Sequence, residues 1–145
     1  MIYEWKTIKY KTPAEVAGAV CSRLENTIGL TAKNLVEASR PEDAPLHNEF
    51  EWRDDVAAEK YREQQARVLI CNLTVREAGS EPVRAYVSLT KAEPIYESIE
   101  VVLRDEDKSA KLFALAMEEL KTFKKKYADI KAFARIFKEI DRLTA

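Results

Sequence analysis

From Asp105 to Ala145 the chain contains neither glycine nor proline, and a stretch of that length without a chain breaker has few options besides helix. Its apolar residues agree: Leu112, Leu115, Ala116, Leu120, Phe123 and Tyr127, then Ile130, Phe133, Phe137 and Ile140, recur at helical spacing. Two helices are expected, with a bend near Tyr127 to Asp129 where Asp129 can cap the second. One unbroken helix is the alternative. Residues 105–145 are therefore read as a helical extension, and residues 1–104 as the main domain.

That domain is punctuated differently. All five prolines and all three glycines fall before residue 95. In "TPAE", Thr12 can serve as N-cap, Pro13 suits the first helical position and Glu15 can close a capping box. Val16, Val20, Leu24 and Ile28 then form a stripe that Gly29 terminates. "LTAKNLVEASRP" repeats the pattern: Thr31 caps, Leu30 and Leu35 can staple, and Pro41 stops the helix near Ser39. Residues 40–53 hold Leu46, Phe50 and Trp52 among prolines and acids, which reads as an ordered loop that buries its aromatics. A third helix follows, capped by Asp54 or Asp55, with Ala57, Ala58, Tyr61, Val68 and Leu69 on or beside its inner face. The period then changes from helical to alternating. "CNLTVRE" and "VRAYVSL", separated by "AGSE", predict a β-hairpin with Cys71, Leu73 and Val75 facing one way and Val83, Ala85, Val87 and Leu89 doing so on the second strand. "PIYESIEVVL" can add a strand or start a helix at Ser98. Residues 1–11 read as an arm or short strand. The fold class is α+β: N-terminal helices, a central antiparallel hairpin in a winged-helix-like order, and a C-terminal helical pair.

Chemistry is constrained by what is scarce. His47 is the only histidine, so no site that needs two imidazoles can form. The glycines, at 18, 29 and 79, offer no phosphate-cradling loop. Glu42, Asp43, Glu49, Glu51, Asp54 and Asp55 match no cation-binding spacing, and capping accounts for such residues without a metal. Cys21 and Cys71 stand alone among apolar neighbours and read as buried free thiols. No enzyme activity, cofactor or metal is expected. With 46% hydrophobic and 34% charged residues, no apolar run long enough for a membrane span and no signal-peptide pattern, a folded cytoplasmic protein is expected, with no membrane partner.

What remains is binding. The net charge of -1 conceals blocks: residues 41–58 and 77–107 are acidic and residues 108–145 basic. In a winged helix the third helix enters the major groove of duplex DNA and the hairpin touches the backbone. On that plan Arg53, Lys60, Gln64 and Arg67 face DNA, the last three sharing a side through i, i+4, i+7 spacing, and Arg76 and Arg84 flank the wing. Two features oppose it: the long Arg40–Arg53 segment where a compact motif has a short turn, and Glu59 and Glu63 within the reading face. At the C-terminus Ile130, Phe133, Phe137 and Ile140 form an apolar line, an expected interface for self-association or for a protein partner.

"GLTAKNLVEASRPEDAPLHNEFEWRDDVAAEKYREQQARVLI", with "RAYVSL" and "FKKKYADIKAF", resembles a family of small uncharacterised proteins encoded by bacteriophages and prophages. Its features are a Leu-Thr start, a Pro-Leu-His turn and a Phe-x-Trp step. The resemblance spans roughly residues 29 to 133. In this chain Arg53 follows Trp52 where the family pattern has an acidic residue. The resemblance implies a phage origin and a cytoplasmic setting; it implies no mechanism and supplies no site residues. The expectation is a phage or prophage accessory protein, non-enzymatic, that binds DNA or a DNA-bound assembly; the alternative is a protein-interaction or virion-assembly module without a nucleic-acid role.

Overall fold

The computed structural model describes residues 1–56 and 58–145; Ala57, expected on the inner face of the third helix, lies outside them. The chain divides into two units, Met1–Val101 and Val102–Ala145.

The first unit is mixed α+β. It runs β1 (Ile2–Trp5), α1 (Ala14–Glu25), α2 (Ala32–Ser39), a 3-10 turn (His47–Glu49), α3 (Glu59–Asn72), β2 (Leu73–Arg76), β3 (Val83–Arg84), β4 (Tyr86–Ser88) and β5 (Tyr96–Ser98), with α4 (Ile99–Arg104) crossing the boundary. Its core gathers Leu30, Leu35, Val36, Leu46, Leu69, Ile70, Leu73 and Tyr86, all essentially inaccessible. Each such leucine or isoleucine contributes about 1.5–3 kcal/mol of transfer free energy.

Local causes set the boundaries. Thr31 caps α2, its hydroxyl accepting from the Asn34 amide at 3.0 Å, and Leu30 and Leu35 are both buried at the staple positions. Gly29 leaves α1 at φ +94° and its amide reaches the Leu24 carbonyl at 2.8 Å. The cap expected of Thr12 does not form. Glu49 Oε1 accepts from the amides of Lys11 (2.9 Å) and Thr12 (2.8 Å) and from the Thr12 hydroxyl (2.9 Å), so Pro13 takes the cap position of α1. Three donors on one carboxylate outweigh one local cap. Glu15 instead accepts from the Tyr3 amide at 3.2 Å. The stripe on α1 is also narrower than expected: Val20 and Leu24 are buried, while Val16 and Ile28 are exposed. A strict four-residue repeat drifts about 40° per step around a helix of 3.6 residues per turn, so its ends rotate off the core.

β2 is the centre of an antiparallel sheet ordered β1-β2-β3, with Tyr3 opposite Val75 and Thr74 opposite Arg84. Gly18 permits that sheet to seat on α1, since a Cβ there would lie 2.5 Å from the Tyr3 ring. The expected second hairpin strand breaks at Ala85. β3 stays with β2, whereas β4 pairs with β5 in a separate two-stranded sheet, which leaves Val83 exposed and Tyr86 and Val87 buried. "PIYESIEVVL" does both things open to it, β5 and then α4. Cys71 is still helical and exposed, unlike the buried strand residue expected, and Cys21 is buried.

The second unit contains α5 (Glu106–Lys126), a 3-10 turn (Lys131–Phe133) and α6 (Ala134–Thr144). Asp105 caps α5 through the Lys108 amide at 3.0 Å. Asp129 does not cap α6, because the 3-10 turn intervenes and Phe133 occupies the cap. The two helices close on aromatic rings: Phe123 lies 5.6 Å from Phe133 and 6.2 Å from Phe137 between centroids, and Lys124 pairs with Asp141. Phe137 and Ile140 are buried and Phe133 half-buried in this pair. Three of the four residues expected between copies thus close the helices within one chain, and only Ile130 is left exposed.

Candidate nucleic-acid interface

α3 buries a face that its pattern conceals. Arg62, Ala66, Leu69 and Ile70 point inward, while Tyr61 and Val68 are exposed, contrary to the inner face expected. Ala58, also expected inside, is exposed at the N-cap of α3, and neither Asp54 nor Asp55 caps. The aspartates are engaged elsewhere. Asp54 accepts from Arg62 Nη2 at 2.6 Å, and Asp55 pairs with Arg53 at 2.9 Å.

Arg62, only 4% exposed, organises the Arg40–Arg53 segment. Its Nε donates to the Glu51 carbonyl at 2.9 Å and its Nη1 to Glu59 at 3.2 Å. Its guanidinium lies 5.3 Å from the Trp52 ring, as does that of Arg40, which also pairs with Glu37 and Glu59. Trp52 stacks on His47 with centroids 5.0 Å apart and donates from Nε1 to the His47 carbonyl at 2.7 Å. The His47 Nδ1 in turn faces the Ser39 carbonyl at 3.0 Å and donates to it. A planar, always charged fork satisfies several acceptors at once and stacks on an indole, which is how an arginine occupies an interior position. The charged environment holds the Arg62 pKa above its usual value, the Asp54 hydrogen bond being the main cause. Sequence reasoning missed this cluster. The available signal was the carboxylate three residues before Arg62 together with an unexplained tryptophan in the loop.

The consequence for α3 is directional. The Arg40–Arg53 segment lies against Arg62 and Gln65, whose Oε1 accepts from the Glu51 amide, and Glu59 turns toward Arg40 and Arg62. Lys60 and Gln64 stand on the exposed side, and among the described residues Lys60 has no ion pair. Arg67, 41% exposed, is 3.7 Å from Glu63 and 3.5 Å from Gln64. Arg84 extends the same line, its Nη2 lying 3.6 Å from Cys71 Sγ at the end of α3. The structure thus groups Lys60, Gln64, Arg67 and Arg84. It does not join Arg53 to them, and Arg76 is held across the sheet by Glu4 at 2.8 Å.

Beside this line a cleft of about 240 Å³ is bordered by Tyr10, Tyr61, Gln64, Gln65 and Val68. Tyr10 is backed by Trp5 at 4.2 Å, and its pKa is raised, first by burial and then by Glu49. Among the described residues no group of three or more His, Cys, Asp or Glu is placed to hold a metal ion, and no helix is long and apolar enough to cross a membrane. Compared with protein-family models, curated proteins and solved structures, the chain matches none.

Proposed function

We propose that this is a non-enzymatic phage or prophage accessory protein, acting in the host cytoplasm, that binds duplex DNA or a DNA-bound assembly through the exposed line of α3 and the adjoining hairpin. One observation carries the reading: the Arg40–Arg53 segment and Glu59 are both committed to Arg62, which leaves Lys60, Gln64 and Arg67 facing outward. The loop segment and Glu59 are thereby turned to its other side, and of the features that oppose a reading helix in the sequence only Glu63 stays beside Arg67. The Glu63–Arg67 pair is solvated and contributes little, so Arg67 can exchange its carboxylate for a phosphate at small cost. Arg84 supplies a backbone contact from the hairpin, and Arg76, bound to Glu4, has no part. The order of helix, short helix, helix and hairpin supports this by analogy with a winged helix. Titration of the chain into labelled random duplex at low salt should give an anisotropy rise in the micromolar range typical of non-specific binding. No rise at tens of micromolar removes the reading.

A second reading, a protein-interaction or virion-assembly module, is favoured by Tyr61 and Val68, which stand exposed beside the Tyr10 cleft. An exposed tyrosine with neighbouring amides suits a protein interface. On that reading Tyr61→Arg abolishes capture of a phage-encoded partner while Lys60→Ala leaves it intact.

A further inference from the structure

Between residues 121 and 142 the chain holds eight Lys or Arg residues against three acids, Asp129, Glu139 and Asp141. Two of those acids are engaged, Asp141 by Lys124 and Glu139 by Arg142. Lys125, Lys126, Lys131, Arg135 and Lys138 are all exposed, and among the described residues none of them forms an ion pair. They gather at one end of the helical pair: the last turn of α5, the 3-10 turn, and the first turns of α6.

Lysines in the last turn of α5 have an internal explanation, since cations there face the negative end of the helix dipole. The same argument runs the other way for the start of α6. That end is partially positive, has no acidic residue in its first turn, and nevertheless carries Lys131 and Arg135, with Lys138 in the turn that follows. The helix dipole gives the fold no gain from Lys131 and Arg135 at that place. Repulsion among them is relieved by an external anion with several charges at helical spacing.

We propose that this end of the C-terminal helical pair is a binding surface for the sugar-phosphate backbone of a nucleic acid, independent of sequence and separate from α3. A membrane is the poorer fit. An interfacial helix needs a broad apolar face to bury in lipid, and here Phe137 is closed against Phe123 of α5 and Ile140 is buried, which leaves Ile136 and Leu143 as the exposed large apolar residues of α6. Lys131 in the 3-10 turn and Arg135, Lys138 and Arg142 in α6 recur at i, i+4, i+7 and i+11, on the side away from those rings, and of this line only Arg142 is paired, with Glu139.

The test uses the full chain, a labelled random duplex and a salt series, with K131E/R135E/K138E and K60A/R67A as separate variants. The positions are exposed, and circular dichroism together with K131Q/R135Q/K138Q separates a charge effect from a folding effect. Reversal at the helical pair should weaken binding at least tenfold at low salt. It should also flatten the slope of log affinity against log salt by about 0.9 for each phosphate that these side chains no longer neutralise. K60A/R67A should keep that contribution. Parental affinity and slope in K131E/R135E/K138E overturn the proposal even if K60A/R67A loses binding. Parental binding in K60A/R67A removes the α3 reading instead. Binding to phosphatidylserine vesicles without binding to duplex overturns the proposal in favour of a lipid surface.

Discussion

α3 and α6 are both two-faced helices, yet one seats an arginine in its interior and the other seats phenylalanine rings. On α6 the apolar spacing Phe133, Phe137, Ile140 is the buried face. On α3 the apolar residues Tyr61 and Val68 stand in solvent while Arg62 is enclosed by Glu51, Trp52, Asp54 and Glu59. Periodicity records which side chains prefer to leave water. It is silent about a charged side chain whose acceptors come from a loop ten residues earlier.

The contrast can be sharpened by mutation. Phe137→Ala should have the largest effect, about 3–5 kcal/mol as measured by urea unfolding, because the ring packs on Phe123 and Phe133 and leaves a cavity. A loss under 1 kcal/mol would mean that the rings do not close the helical pair.

Arg62→Met should be milder and more local. Its carboxylate partners are solvated enough to remain charged, so the loss falls on the Arg40–Arg53 segment. Trp52 emission should shift to the red and tryptic cleavage after Arg53 should accelerate. Arg62→Lys should behave like Arg62→Met, because one ammonium cannot reproduce the contacts to the Glu51 carbonyl, Asp54 and Glu59 together. Rescue by lysine would show that charge alone holds the segment.

Alkali should distinguish the two units as well. Burial, with Glu25 adding to it, pushes the Cys21 thiol up to about 12, and burial also raises Tyr10, Tyr86 and Tyr96, all in the unit that contains α3. A folded-state pKa above the unfolded one favours the protonated form in the fold. That stabilisation is therefore complete at neutral pH and is lost as pH rises from about 9 toward 12. On the acid side the lowered carboxyls of Glu37, Asp55 and Glu139 act oppositely, their contribution being lost as pH falls below the usual carboxylate range. All three are solvent-exposed, so that limb should be shallow. Stability measured from pH 4 to 11 should fall more steeply at the alkaline end, and Cys21→Ala should flatten that end.

The smallest effect on stability belongs to Lys60→Ala and Arg67→Ala, which should unfold within about 0.5 kcal/mol of the parent, as exposed substitutions do.

Elements with local causes were legible in the sequence. Thr31, Leu30 and Leu35 set the start of α2, Gly29 sets the end of α1, and the absence of glycine and proline sets α5 and α6. The illegible parts depend on long-range partners. Glu49 takes Thr12 out of its cap from 37 residues away, Ala85 hands the chain from one sheet to another, and Trp52 with Asp54 makes Arg62 an interior residue. For the candidate interface the i, i+4, i+7 line of Lys60, Gln64 and Arg67 was readable. The loss of Arg76 to Glu4 needed the β1–β2 pairing, which no local signal encodes.

The most direct measurement is the acetylation rate of Lys60 with and without duplex DNA, referred to the exposed Lys91 in the same chain. If α3 meets DNA through its outward line, Lys60 becomes several-fold slower to react in the complex while Lys91 is unchanged. Equal reactivity of Lys60 in free and DNA-bound protein would contradict that account.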